Sequence, residues 1–449
     1  MGSYYENRLI KYFVMSQTNI ATQIYNRLSG RNKHDNEAAE QTEKEKNLQQ
    51  NFFCHLWISL GNKLADSLIS PRLILPWLLS AMHAPMWVVS LLVPIREAGA
   101  LLPQLIVASL LRIKKIRKWV WFDACVVLTF CALALAVLAV LGEGFWGAVL
   151  VLMVLTILSL ARGVTSITSK DVMGKTIDKD TRGHLMGWST SIAGGITLLA
   201  GIILMFLTDH PGRAIVACLL LLSALGWGLG VIFCARLIEP PSDIESAKKE
   251  QSSLSRAWQL LCSDKQFLHF NISRSLLLSS SLSLPYIAIL SRAKAGTNLG
   301  SLGVLVVISG IATMLASPFW GRYADHSSRN VMRDSGLLVA VICLLTTAFT
   351  FLPSYLSNTV WPYAFSYAAV VIGETGIGIG RKTYIVNMGD GESRALYIAL
   401  SNTITGILVL ILGAVLATMS AWFSSKVILI TLAVGSIVGA WSAQNLNDI

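Results

Sequence analysis

Long apolar runs separated by short polar segments fill the chain from about residue 60 to its end. About 20 apolar residues in a helix span the hydrocarbon core of a bilayer. Backbone groups in lipid must satisfy their own hydrogen bonds, so each run predicts a transmembrane helix. The twelve predicted spans lie near residues 60–82, 85–111, 119–141, 145–167, 185–207, 214–235, 267–290, 299–321, 335–357, 358–380, 395–419 and 424–444.

Composition agrees with a bilayer environment. Apolar residues make up 54% of the 449 residues and charged residues 14%, against about 25% charged in a typical soluble chain. This balance argues against a cytosolic enzyme, a secreted disulfide scaffold and a disordered protein. The seven cysteines are odd in number and form no CxxC pair, so we expect no metal and no cofactor.

The basic residues predict the orientation of the chain. The net charge is +11, and most of it falls in alternate loops, at residues 112–118, 170–182, 236–265, 322–333 and 381–394. Loops rich in Lys and Arg stay on the cytoplasmic side. We therefore expect a multi-pass plasma-membrane protein with both termini cytoplasmic, contacting lipid but no nucleic acid, and monomeric.

The spans divide into two groups of six. Residues 1–54 are polar and predict a cytosolic tail. Residues 55–236 predict a first bundle and residues 267–449 a second. Residues 237–266 between them predict a cytoplasmic linker, in which Ser253–Leu261 has the spacing of an amphipathic surface helix.

An internal repeat relates the two groups. The shift that places Lys170 on Lys382 also places Ser189 on Ser401, and we call it the repeat shift. A slightly shorter shift places Leu75–Trp77 on Leu284–Tyr286. Repeats of this kind are typical of transporters whose solute site lies between two six-helix halves.

A loop motif carries a family resemblance. The segment between spans 8 and 9 reads Gly-Arg-Tyr-Ala-Asp-His-Ser-Ser-Arg, with Gly321, Asp325 and Arg329 at its spaced positions. It resembles the G-x-x-x-D-x-x-x-R loop motif of the major facilitator superfamily of secondary transporters. Arg162 is similar to the arginine of that family's fourth-span motif. The resemblance implies an all-α polytopic fold of twelve helices in two pseudo-symmetric six-helix bundles, and permeation of a small solute by alternating access.

Charged residues inside the predicted spans are candidates for solute or proton binding, because a charge at mid-bilayer costs roughly 2.5–3.5 kcal/mol on insertion scales. The alternative for each is an ion pair that only fixes helix packing. Tyr286 and Asn402 are uncharged candidates. The charged candidates are Asp66, Arg72, Arg96, Glu97, Arg162, Arg274 and Glu374.

Several expectations follow from these charges. Arg96 and Glu97 are adjacent and point in different directions on a helix, so each needs another partner, such as Asp66, Arg72 or a solute. Arg162 and Glu374 are counterparts under the repeat shift, so we expect them either to confront each other across the two-fold axis or to lie nearer the cytoplasmic gate. Four arginines outnumber three carboxylates, which an anionic or zwitterionic solute would balance. Glu97 and Glu374 are the candidates for coupling transport to protons.

The loops suggest a cytoplasmic gate. A cation at a helix start is unfavourable against the helix dipole, so Arg182 and Arg394 need anionic partners. We expect the basic and acidic loops to meet across the two halves when the cytoplasmic side closes; the alternative is that they are solvated loop charges. The gate candidates are Arg117, Arg182, Gly321, Asp325, Arg329, Asp390, Glu392 and Arg394.

Three other functions remain as alternatives to a solute permease. A multidrug-type efflux pump would share the fold. A non-transporting sensor would be expected to carry a folded soluble module. A polytopic enzyme would need an assembled site, but the histidines stand alone and no HxxxH or HExxH pattern occurs; we therefore expect no enzyme.

Overall fold

The structure is a computed structural model that describes residues 41–206, 212–241, 264–296, 299–388 and 393–447. The described chain forms twelve helical spans, which confirms the all-α polytopic fold. The spans are Gln41–Leu68 with Ile74–Ala81 (1), Met86–Leu101 with Gln104–Arg112 (2), Lys118–Leu141 (3), Gly144–Thr176 (4), Lys179–Phe206 (5), Gly212–Arg236 (6), Lys265–Leu276 with Ser279–Ala295 (7), Leu299–His326 (8), Ser328–Phe349 (9), Trp361–Met388 (10), Ser393–Trp422 (11) and Ser425–Gln444 (12). A short helix, Ser354–Ser357, connects spans 9 and 10. The predicted surface helix at Ser253–Leu261 and positions 1–40 of the predicted tail lie outside the described residues.

The described helices differ in how well they suit a membrane. Nine of them are long and apolar enough to cross one by length and composition. Spans 1, 2 and 10 are not among the nine. They carry charged residues at mid-helix, and spans 1 and 2 are each broken into two helices. Helices with such charges are expected to face protein or water rather than lipid.

Three spans are discontinuous. Span 1 unwinds over residues 69–73, which include Pro71 and Arg72, and span 2 breaks at Pro103. Proline lacks the N–H of a helical hydrogen bond and disfavours helix at the residue before it. Span 7 breaks at Leu277 and Leu278, just as span 1 breaks after its first helix. The breaks of spans 1 and 7 therefore fall at equivalent points of the two halves.

The spans pack as two groups with the same internal pattern. In the first group span 3 lies against spans 4 and 6, and span 2 against span 4. In the second group span 9 lies against spans 10 and 12, and span 8 against span 10. The groups meet along two helix pairs, spans 2 and 11 and spans 5 and 8. A two-fold axis that exchanges the groups also exchanges these two pairs.

The bundle has two faces, which we name from the described ends of the chain. The terminal face holds the start of span 1 and the end of span 12; there Asn51 exchanges hydrogen bonds of 2.9 Å with the backbone of Ile238. The opposite face holds the ends of spans 1 and 7, where Arg292 donates to Ser80 Oγ at 2.7 Å. That the terminal face is cytoplasmic stays a prediction.

Several helices extend beyond their predicted ends. Span 10 continues to Met388, so Arg381 and Lys382, predicted in a loop, lie on a helix. Span 8 continues to His326, so Gly321 and Asp325, which the sequence placed in the segment between spans 8 and 9, lie on a helix. Ser327 instead caps the next helix by accepting from the backbone N–H of Asn330 at 3.3 Å. A span predicted from hydropathy ends at the first charged residues. The helix itself can continue past them where its end reaches water.

Glycine lets spans 1 and 6 touch through their backbones. A Cβ at Gly226 would lie 2.8 Å from the carbonyl oxygen of Gly61. On the same helix, one position beyond Trp227, a Cβ at Gly228 would meet only Thr129 Cγ2, at 4.0 Å.

We therefore expect Gly226→Ala to destabilise the protein by about 1–3 kcal/mol through overpacking. Gly228→Ala is the matched control and should leave stability unchanged or slightly higher, because alanine favours helix. Thermal unfolding of the two purified variants measures the difference. Equal melting temperatures would contradict the close backbone contact.

Candidate functional site

A cluster of three charges joins spans 1, 2 and 4 at mid-depth. Asp66 accepts from Arg162 Nε at 2.9 Å on both carboxylate oxygens, and Arg162 Nη2 also bonds to Asp66 Oδ2. Arg96 Nη2 donates to Asp66 Oδ1 at 2.7 Å. One carboxylate thus holds two arginines, and the cluster has a net charge of +1. We call it the Asp66 triad.

A second cluster joins the two bundles. Arg72 lies in the unwound segment of span 1, and its Nη2 lies 2.9 Å from Glu97 Oε1 and 2.7 Å from Glu374 Oε1. Ser281 of span 7 donates to Glu374 Oε1 at 2.5 Å and accepts from Arg72 at 3.2 Å. Glu97 belongs to the first bundle and Glu374 to the second. We call this cluster the Arg72 triad; its net charge is −1.

Water reaches both triads. Their side chains keep between 15% and 31% of their surface exposed. We call the space that these partly exposed charges line the chamber. This chamber is the candidate functional site.

The predicted partners of Arg96 and Glu97 are correct, because Arg96 pairs with Asp66 and Glu97 with Arg72. The predicted confrontation of Arg162 and Glu374 is wrong. Arg162 pairs with Asp66 in its own bundle, and Glu374 pairs with Arg72 across the interface. Two-fold symmetry relates the backbones, but side chains pair with whichever opposite charge lies nearest.

Arg274 forms a third cluster, in the second bundle. It is buried, with 6% of its surface exposed. It donates to Ser401 Oγ at 2.7 Å and to Asn402 Oδ1 at 2.8 Å, both on span 11. Asn402 in turn donates to Gln104 of span 2 at 2.9 Å, which connects the cluster to the first bundle.

The first bundle contains a related cluster that the sequence reasoning missed. Lys63 of span 1 donates to Ser189 Oγ at 3.1 Å and bonds to Thr190 Oγ1 on span 5. Under the repeat shift Ser189 and Thr190 correspond to Ser401 and Asn402. Lys63 lies inside a predicted span, so the rule that selected Asp66 could have selected it. Gln104 and Ser401, being uncharged, offered no comparable signal.

Tyr286 lies apart from the charges, in a seal between the bundles near the opposite face. Its hydroxyl donates to Ser90 Oγ at 2.7 Å, and Ser90 Oγ donates to Ser420 Oγ at 2.9 Å. Nearer that face Arg292, which bonds Ser80, also stacks over the Trp77 ring at 4.8 Å. These contacts join spans 1, 2, 7 and 11 and close the chamber on this side.

The terminal side of span 5 is open. A Cβ added on this helix at Gly183, Gly187 or Gly194 would have no atom of the described residues within 4 Å. Nearer the opposite face, a Cβ at Gly201 would lie 2.8 Å from Val306 Cγ1 of span 8. Spans 5 and 8 therefore touch near the opposite face and diverge towards the terminal face. The chamber faces the terminal side.

Three of the predicted gate residues, Arg117, Arg182 and Arg329, lie near the terminal face, and each has contacts within its own half of the chain. Arg117 pairs with Asp171 at 2.5 Å, and its backbone N–H donates to Glu239 Oε2 at 2.8 Å. Arg182 donates to the carbonyls of Ile177 and Gly174. Arg329 donates to the Leu446 carbonyl at 3.0 Å.

The remaining predicted gate residues make no ion pair or hydrogen bond between the bundles within the part of the chain that the structure describes. Asp325 is exposed on the last turn of span 8. Gly321 is helical and contacts nothing within 4 Å of an added Cβ. Asp390, Glu392 and the side chain of Arg394 lie outside what the structure describes. Meeting of these loops across the halves therefore stays a prediction.

The fold is that of known solute transporters. A variant of the nucleoside transporter NupG aligns with a TM-score of 0.68 and 14% identity over 88% of this chain and 99% of its own. A POT family transporter in complex with 5-aminolevulinic acid gives 0.64 and 13% over 88% and 95%. A D-xylose-proton symporter gives 0.62 and 11% over 89% and 97%. No protein-family model matches the chain, and no curated protein matches it significantly.

The Asp66 triad predicts a strong charge dependence of folding. Asp66→Asn leaves Arg96 and Arg162 facing each other without a counter-ion. Removing one partner of a buried ion pair costs about 3–5 kcal/mol, and we expect a smaller loss here because water reaches the triad. The melting temperature and yield of purified protein should both fall.

The double variant Asp66→Asn, Arg96→Gln restores the original net charge and should recover part of that loss. Glu143→Gln is the control, since its side chain is 83% exposed. A single variant as stable as wild type would show that the triad does not support the fold.

Proposed function

We propose that this protein is a secondary transporter that moves a small solute across a membrane by alternating access, with the chamber as its binding site. The fold it shares with three solute transporters supports this reading. The arrangement of the chamber supports it further, because polar groups of both bundles line it and the contacts among the described residues close it on the opposite side and not on the terminal side.

The Arg72 triad is the observation that supports the proposal most directly. One guanidinium holds a carboxylate of each bundle, at 2.9 Å and 2.7 Å. A solute or proton that replaces either contact changes the free energy of bundle association. A ligand shifts a conformational equilibrium by its difference in affinity for the two states. Binding in the chamber is thereby linked to movement of one bundle against the other.

We further propose that Glu374 takes up the coupling proton. Glu97 lies near three arginines, Arg72, Arg381 and Arg96. Glu374 has Arg72 as its ion-pair partner and Ser281 as a hydrogen-bond donor. When Arg72 moves away with the first bundle, Glu374 loses its cation and binds a proton more readily.

Glu374→Gln should abolish proton-driven accumulation in proteoliposomes and leave exchange of solute down its own gradient. A neutral amide can still accept from Ser281 but cannot carry a proton. Purified protein is first screened by thermal shift to find a solute that stabilises it, and uptake of that solute is then measured. Glu143→Gln is the control and should accumulate like wild type.

Full proton-driven accumulation by Glu374→Gln would exclude this carboxylate. Absence of saturable flux from wild-type proteoliposomes, for a solute that binds, would refute the transport function itself.

Alternating access also requires the terminal side to close, and the open glycines of span 5 are where we expect the bundles to meet. Gly187→Leu should fold normally, because no atom lies within 4 Å of its added Cβ. It should lower the transport rate by at least about tenfold, since a bulky residue there opposes close approach of helices.

Gly201→Leu, on the same helix, should instead lower the melting temperature, because it clashes with Val306 where spans 5 and 8 touch. Melting curves and flux of both variants separate the two effects. Wild-type flux in Gly187→Leu would contradict closure along span 5.

A further inference from the structure

The charges of the two triads cancel. The Asp66 triad contains two arginines and one carboxylate, and the Arg72 triad contains one arginine and two carboxylates. Their net charges are +1 and −1, so together they are neutral. Of the charged candidates at mid-membrane, Arg274 is the one that belongs to neither triad.

Arg274 has no anionic partner within the described residues. Its partners there, Ser401 and Asn402, are both uncharged. A guanidinium has five N–H donors, and these two bonds use one N–H on each of the two terminal nitrogens. Its Nε is buried and makes no hydrogen bond to any described residue. Three of the five donors therefore remain available, on a side chain with 6% of its surface exposed.

The surroundings of Arg274 add positive charge. The charge of Arg381 on span 10 repels that of Arg274, and Glu97, which attracts it, is already paired with Arg72. No ion pair or hydrogen bond of the Arg381 side chain occurs among the residues described. A buried, uncompensated cation next to a second cation is costly, and a mobile anion would remove that cost.

We propose that Arg274, supported by Arg381, binds the anionic group of the solute that the protein transports, a carboxylate or a phosphate; this rests on the transport function proposed above. Arginine binds both groups through paired N–H donors in one plane. Ser401 and Asn402 fix the guanidinium by two of its N–H groups and leave Nε free for the ligand. The bond from Asn402 to Gln104 connects the occupied site to the first bundle.

Asn402→Asp gives a sharp test because it changes the shape of the residue little and places a carboxylate on Arg274. The unliganded variant should melt at or above the wild-type temperature, since its arginine is neutralised. It should also need at least about tenfold more anion for the same stabilisation, because the built-in carboxylate competes for the charge. A residue that only fixed helix packing would not show this opposite pair of effects.

The measurement is thermal unfolding of the purified full chain at constant ionic strength, with two panels of sodium salts. One panel contains succinate, citrate and lactate; the other contains inorganic phosphate and glycerol 3-phosphate. Succinamide and glycerol are the neutral controls. A response confined to one panel assigns the carboxylate or the phosphate. Arg274→Gln should lose the response. Arg333→Gln, which alters a pair with Asp334 away from the chamber, should keep it.

The proposal is wrong if neither panel stabilises the wild type, or if Asn402→Asp and Arg274→Gln respond as the wild type does. Its failure can be told apart from failure of the transport function. If an anion binds through Arg274 but is not transported in proteoliposomes, the anion site is supported and the transport function is refuted. If wild type and Arg274→Gln transport a neutral solute equally well, the transport function is supported and the anion site is refuted.

Discussion

Pairing of charges inside a low-dielectric bundle is the constraint on which the chamber depends. A single charge is costly at mid-membrane, so the spans that carry charges must pack where those charges meet. Asp66 brings spans 1, 2 and 4 together, and Arg72 holds Glu97 and Glu374 across the interface. These spans are therefore drawn to the centre, while the more apolar helices face lipid. The chamber and the contact between bundles are thus built from the same ion pairs.

The repeat gives the two bundles one backbone plan with different chemistry. Ser189 and Thr190 correspond to Ser401 and Asn402, and spans 1 and 7 break at the same point. Superposing these two breaks places Asp66 on Arg274. The first bundle neutralises its charge internally with arginines of spans 2 and 4, whereas the second leaves Arg274 with uncharged partners. A symmetric frame with an asymmetric charge distribution can bind a ligand in one orientation.

The comparisons separate fold from site in the same way. Structures that share 11–14% identity with this chain keep its architecture over nearly their whole length. Long apolar spans and close helix contacts at glycine, as between Gly61 and Gly226, are compatible with many sequences. A binding site depends on a few side chains, and a fold shared at this identity does not transfer them. What the chamber binds must therefore be identified from its own side chains.

Hydropathy along the chain is enough to predict the twelve spans, the six-plus-six repeat and the mid-membrane charges, because lipid requires long apolar runs and makes each exception visible. The sequence also indicates that Arg96 and Glu97 need separate partners, since neighbouring residues on a helix diverge. Three-dimensional packing was needed to show that Arg162 pairs with Asp66 rather than facing Glu374. It was also needed to show that span 10 carries Arg381 beyond its apolar window and that Lys63 bonds to span 5. Hydropathy depends on the order of residues along the chain, whereas the choice of an ion-pair partner depends on which helices pack together and how each is rotated.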